Sequence, residues 1–158
     1  MASFLGSIGI EMRAGTIDVP TLFPGSLISD GSLVVDESLL AAPGDALHEA
    51  AHIALAPPER RSADVGLIEA ATGGEELTTI AWSWAALLEL ELSPEDVFHG
   101  TAYKGGDSET IIDCGRRGIY IGFPLLQAWG MAFDEANARL RGVKPFPHMV
   151  KWVRDDAP

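Results

Sequence analysis

The sequence predicts one mainly helical α+β domain, residues 1–158, with a small antiparallel β-sheet. The chain has 158 residues, 47% of them hydrophobic, and a chain of this size can form one core without disulfides or an obligate partner. Hydrophobic residues recur at helical spacing in several segments. An Asp-Gly dipeptide lies between two β-prone runs, which indicates a hairpin.

The first 40 residues are predicted to contain a short helix and the hairpin. The hairpin spans residues 26–36, where Asp30-Gly31 accepts the positive φ angles of a tight turn. The helix ends near Gly15, and its hydrophobic residues are Phe4, Leu5, Ile8 and Met12.

Two longer helices are predicted next. The first covers residues 46–56, with Asp45 as its N-cap. It ends at Pro57-Pro58, because proline lacks a backbone N–H and disfavours helical geometry in the residue before it. The second follows Gly73-Gly74 and covers residues 75–92.

The remaining elements are also expected to be helical. Ser93-Pro94 opens a short helix, and one further turn is expected near residues 108–114. A long helix is predicted over residues 125–141, with Gly142 as its stop. The proline-rich tail, residues 145–153, is expected to pack its aromatic side chains on the body without starting a helix.

Composition excludes several classes of function. Eleven Lys and Arg against 23 Asp and Glu leave a net charge of −12, which repels nucleic acid and anionic lipid. The first residues show no signal peptide, and no apolar run reaches the roughly 18 residues of a membrane span. The single cysteine, Cys114, excludes an internal disulfide. We therefore expect a cytoplasmic protein that binds neither nucleic acid nor membranes.

The motif that carries chemistry is His48-Glu49-Ala50-Ala51-His52, an H-E-x-x-H sequence inside the first long helix. At 100° per residue the two histidines differ by about 40° in azimuth and one turn in height, so both can bind one ion. Imidazole is a favoured zinc ligand, and Glu49 stands where it can take a proton from zinc-bound water. This composition predicts roughly 0.008 accidental matches. The alternative is two surface histidines on an alanine-rich helix.

A catalytic zinc site needs a third protein ligand. A histidine six residues after His52 would complete one known arrangement, but that position is Pro58. The second long helix offers two glutamates. With Glu75 at 0°, its hydrophobic residues lie between about 120° and 240° and Glu76 at about 100°, so we favour Glu76 over Glu75. Weaker candidates for the site are Glu69, Asp64 and Glu135.

These features resemble the gluzincin metallopeptidases. An H-E-x-x-H helix is followed, 24 residues after His52, by a helix that begins Glu76-Leu-Thr-Thr-Ile-Ala-Trp. Over residues 27–92 the chain is most similar to the compact ImmA/IrrE type. The resemblance implies that His48, His52 and Glu76 bind zinc and that Glu49 is the catalytic base.

The sequence thus predicts a zinc-dependent metallopeptidase or related hydrolase, in which Glu49 activates zinc-bound water to attack a peptide or amide carbonyl. Two alternatives remain open. One is a non-catalytic interaction module with a degenerate peptidase fold, and the other is a hydrolase of another bond that uses a different divalent ion.

Several other residues have a functional and a structural interpretation. Tyr103, next to Lys104, could stabilise an oxyanion, although an ordinary exposed loop is the simpler reading. His99 and His148 are interpreted as ordinary surface or core histidines, and Cys114 as an unreactive thiol. The tryptophans are interpreted as packing residues and not as a substrate wall; they are Trp82, Trp84, Trp129 and Trp152.

Overall fold

The computed structural model describes residues 1–21, 23–61, 73–100 and 107–155. These residues form the mainly helical α+β fold that the sequence predicts. Within the described ranges, no helix combines the length and the apolar character needed to cross a lipid bilayer. In chain order the elements are α1 (Ala2–Ser7), β1 (Met12–Ala14), β2 (Ser26–Ser29), β3 (Ser32–Val35), α2 (Pro43–Leu55), α3 (Pro58–Arg61), α4 (Gly73–Glu89), α5 (Pro94–Val97), α6 (Asp107–Arg116), α7 (Phe123–Ala128) and α8 (Glu135–Arg141).

The sheet is mixed and not antiparallel. Its strand order is β1-β3-β2, with β1 parallel and β2 antiparallel to β3. The prediction of one helix up to Gly15 is therefore wrong, because α1 ends at Ser7 and the chain then continues into β1. Gly9 turns the chain at a φ of +84°. The following residues then pair with β3, which satisfies backbone groups that a short helix would leave open.

The predicted hairpin is confirmed. Ser29 pairs with Ser32 across a two-residue loop, in which Asp30 has a φ of 51° and Gly31 a φ of 72°. Two positive φ angles match the right-handed twist of the flanking strands, and Asp-Gly tolerates them.

Helix α2 is central to the fold, since it contacts α4, α5, β2 and β3. It begins at Pro43, earlier than predicted, and Asp45 is not its N-cap. Proline in the first turn needs no hydrogen-bond acceptor there. The carboxylate of Asp45 instead pairs with His99, at 2.7 Å between Oδ1 and Nε2.

The core between α2 and α4 combines buried alanines of α2 with two buried tryptophans of α4. Trp82 on α4 is fully buried, and its indole N–H donates to the carbonyl of Trp152 at 2.8 Å. Trp84 is buried and stacks on Phe98, with ring centroids 5.7 Å apart. The interpretation of these tryptophans as packing residues is confirmed. The fully buried alanines of α2 are Ala46, Ala50, Ala51 and Ala54.

The predicted long helix over residues 125–141 is two helices, α7 and α8. Gly130 adopts a left-handed φ of +65° between them, which an α-helix does not tolerate. Asp134 then caps α8 by accepting the N–H of Asn137 at 2.8 Å. The predicted stop at Gly142 is confirmed, with a φ of +68°. Helix α6 is longer than the single predicted turn.

We expect Gly44→Ala to destabilise the protein by about 1–3 kcal/mol, because an added Cβ would overlap the backbone of Val97. Gly44 lies in the first turn of α2, where α5 packs closely. Gly73→Ala is the matched control, since it also lies in a first helical turn and its Cβ would meet nothing within 4 Å. Urea unfolding measures both. Equal stability of the two variants would contradict the close packing of α5 on α2.

Candidate metal centre

Helices α2 and α4 bring three side chains with metal-binding groups together. The Nε2 atoms of His48 and His52 are 3.0 Å apart. Oε1 of Glu76 lies 3.1 Å from Nε2 of His48, and Oε2 lies 3.5 Å from Nε2 of His52. Of the residues that the structure describes, these three form the one such group that could hold a metal ion.

The distances between the nitrogen and oxygen atoms of the cluster fit a cation with tetrahedral coordination. Zinc bonds of about 2.0–2.1 Å to nitrogen and oxygen place neighbouring ligand atoms about 3.3 Å apart at a tetrahedral angle. The three separations in the cluster are 3.0, 3.1 and 3.5 Å. The side chains therefore need no large rearrangement to hold an ion of this size.

Burial gives the cluster one open side. The side chains of His48 and His52 are 4% and 10% exposed, whereas that of Glu76 is 49% exposed. Phe23, which precedes β2, covers His48 with ring centroids 4.9 Å apart. Of the three side chains, Glu76 is therefore the one that solvent reaches most.

The electrostatics favour ligand protonation states that bind cations. Burial lowers the pKa of His52 to about 4, and the charge of His48 adds to this effect. His52 is therefore neutral at pH 7 and has a lone pair to offer. A hydrogen bond with His48 holds the pKa of Glu76 below its ordinary value, so this carboxylate is ionised. A neutral imidazole and a carboxylate are the forms that coordinate metals.

Glu49 is a partly buried carboxyl group directly beside the first histidine. Burial, assisted by the charges of Glu76 and Asp45, raises its pKa to about 7, and the charge of His48 opposes this shift. A group with a pKa near neutrality can both accept and return a proton, which suits a general base.

The structure places Glu76, and not Glu75, beside the histidines. Glu75 lies 3.4 Å from Arg60 and 3.8 Å from Arg154. The choice of Glu76 agrees with the geometry, but the helical-wheel reason for it is wrong. The side chain of Glu75 is only 20% exposed, against 49% for Glu76. The first turn of α4 extends beyond the core, so the hydrophobic stripe does not determine burial there, as the 47% exposure of Leu77 also shows.

The other candidates either do not join the cluster or lie outside the described residues. Glu135 lies at the start of α8 and contacts Arg139 at 3.5 Å. His99 pairs with the buried Asp45, an interaction that the sequence does not reveal because an aspartate at this position also fits a helix N-cap. Four candidates lie outside the described residues, and these are Asp64, Glu69, Tyr103 and Lys104.

Comparison with known proteins assigns no family to the chain. No protein-family model matches it, and neither do the curated proteins or the solved structures.

Proposed function

We propose that this protein is a zinc-dependent metallohydrolase of the gluzincin type that cleaves peptide or amide bonds. His48, His52 and Glu76 hold the zinc ion, and Glu49 is the general base. The observation that carries the proposal is the convergence of three ligand atoms, 3.0 to 3.5 Å apart, beside a glutamate of the same H-E-x-x-H helix.

The donor set favours zinc over the other common divalent cations. Magnesium and calcium prefer sites made of oxygen ligands, whereas imidazole suits zinc and its transition-metal neighbours. Two of the three donors here are imidazole nitrogens. Three protein ligands leave a fourth position for water or substrate, as in catalytic and unlike in structural zinc sites.

The zinc ion and Glu49 would have separate roles in hydrolysis. Zinc in this site would lower the pKa of water toward about 7 and polarise a substrate carbonyl. Glu49 accepts the proton of the attacking water and returns it to the leaving amine. In the metal-free site burial raises its pKa to about 7, so this carboxyl group can both accept and return a proton near neutral pH. We further propose that the substrate is a peptide or protein and that the protein acts in the cytoplasm, where its one cysteine stays reduced.

Metal analysis and activity together test the proposal. Protein purified without added metal should contain close to one zinc ion per chain. It should cleave members of a fluorogenic peptide library, lose this activity with a chelator and regain it with zinc. Protein that neither retains zinc nor binds it when added would overturn the proposal. Zinc binding without hydrolysis of any peptide would favour the non-catalytic alternative.

We expect hydrolysis to increase with pH and to level off at or below about pH 7. Glu49 must be ionised to accept a proton, and burial raises its pKa to about 7 in the metal-free site. A bound dication favours the ionised carboxylate, so the inflection of the zinc-loaded protein lies at or below that value. Each pH unit below the inflection lowers the rate about tenfold. If kcat/KM instead decreased as the pH rises toward the inflection, Glu49 would be ruled out as the base.

A further inference from the structure

Thr79 connects two of the three candidate ligands. It lies on α4, one turn after Glu76, and is 1% exposed. Its hydroxyl donates to the backbone carbonyl of Glu76 at 2.6 Å. The same oxygen lies 3.5 Å from Nδ1 of His48 on α2. No motif in the sequence marks this residue, although its spacing of three from Glu76 places it near the same helix face.

Hydrogen-bond chemistry gives this contact a direction. A hydroxyl has one proton and two lone pairs. The proton of Thr79 is used for the Glu76 carbonyl, which can only accept. Toward His48 the hydroxyl can therefore only accept, so Nδ1 must carry the hydrogen. When a cation replaces the hydrogen that Nε2 shares with Glu76 in the metal-free site, the neutral imidazole keeps its hydrogen on Nδ1, and the lone pair of Nε2 faces the cation between His52 and Glu76.

The ring contacts of His48 within the described residues do not by themselves select this ring orientation. Phe23 and His52 contact the His48 ring with centroids 4.9 and 4.8 Å away, which restrains the plane of the imidazole. A 180° flip of the ring exchanges Nδ1 with a carbon of similar size, and ring packing scarcely distinguishes the two orientations. A hydrogen bond to Thr79 does distinguish them, because only the nitrogen can donate strongly.

We propose that Thr79 is a positioning residue of the metal site. Its hydroxyl, held by the Glu76 carbonyl, accepts a hydrogen bond from Nδ1 of His48 and directs Nε2 toward the cation. The inference rests on the proposed function, because it concerns the same zinc site. Partners that orient a metal-binding histidine in this way typically contribute 10- to 100-fold in metal affinity.

The test compares three variants by their zinc affinity, measured at one pH by competition with a chromophoric chelator. Thr79→Val keeps the side-chain shape and should bind zinc about 10- to 100-fold more weakly. Thr79→Ser keeps the hydroxyl and should stay close to the parent. Thr78→Val is the matched control, because Thr78 is fully buried on the same helix and its hydroxyl donates to the carbonyl of Gly74 at 2.7 Å. It should also stay close to the parent.

A second measurement reports the ring directly. Long-range ¹⁵N–¹H correlation spectra of the zinc-loaded parent should show the hydrogen of His48 on Nδ1, and this signal should shift or broaden in Thr79→Val. Normal zinc affinity of Thr79→Val, or an equal loss in Thr78→Val, would overturn the role of Thr79 while leaving the zinc site intact. A parent that binds no zinc would overturn both this role and the proposed function.

Discussion

Glu49→Gln should retain zinc and hydrolyse peptides roughly 10²–10⁴-fold more slowly than the parent, the usual contribution of a general base. The amide has nearly the same shape as the carboxyl group but cannot accept a proton from water. Glu49 is not one of the three converging side chains, so its replacement leaves the proposed donor set unchanged. Zinc content by elemental analysis and kcat/KM on one peptide measure the two effects separately. Hydrolysis at the parental rate would eliminate Glu49 as the base.

Glu89→Gln is the matched control for this variant, since Glu89 is exposed at the end of α4. It should change neither zinc content nor rate. If it lowered the rate as much as Glu49→Gln does, the loss could not be assigned to the site.

Stability gives an independent signature of the same carboxyl group. Its pKa in the folded protein, about 7, exceeds the ordinary 4.5, so the folded parent keeps a proton that the unfolded chain releases between these values. This contribution to stability is complete below pH 4.5 and is lost as the pH rises through 7. The Glu49→Gln variant has no carboxyl group at this position to titrate. In urea unfolding of the metal-free proteins, its free energy of unfolding relative to that of the parent should therefore increase from pH 4.5 to about 7.

Glu76→Ala should weaken zinc binding by at least about a hundredfold, because it removes one of the three proposed ligands, an effect larger than the loss of an outer-sphere partner. Glu75→Ala should stay within a few-fold of the parent. The two residues are neighbours in the first turn of α4, and both variants make the same chemical change. The two side chains point in different directions, since Glu76 faces the histidines and Glu75 faces Arg60 and Arg154.

Chelator competition measures both zinc affinities, and urea unfolding of the metal-free proteins provides the control for folding. Glu75→Ala disrupts two ion pairs that are partly buried and should lose some stability. A larger loss of zinc affinity in Glu75→Ala than in Glu76→Ala would exclude the ligand set described above.

The parts of the site that depend on neighbouring residues could be predicted from the sequence. The positions of His48, Glu49 and His52 follow from the repeat of one helix, so their common face needed no knowledge of distant residues. The hairpin was equally predictable, because the Asp30-Gly31 dipeptide tolerates the two positive φ angles of a tight turn. The preference for Glu76 over Glu75 agrees with the geometry, but the hydrophobic stripe is the wrong reason for it, as the exposure of Leu77 shows.

Interactions between distant segments could not be predicted in this way. The pairing of β1 with β3 replaced the later part of the helix predicted over the first fifteen residues, because hydrogen bonds to a remote strand outweigh a weak local preference. His99 meets Asp45 although 54 residues separate them, and this contact follows from the packing of α5 on α2.

The amino-acid order alone was enough to establish the mainly helical class, the hairpin and the two histidines with their adjacent glutamate, since each depends on backbone periodicity within a few residues. The approach of α4 to α2 decided the rest of the site. It placed Glu76 at 3.1 Å from His48 and turned Glu75 toward arginines. It also brought the hydroxyl of Thr79 to the back of the His48 ring. Distances between helices are determined by side-chain packing over the whole core, and no short stretch of sequence contains that information.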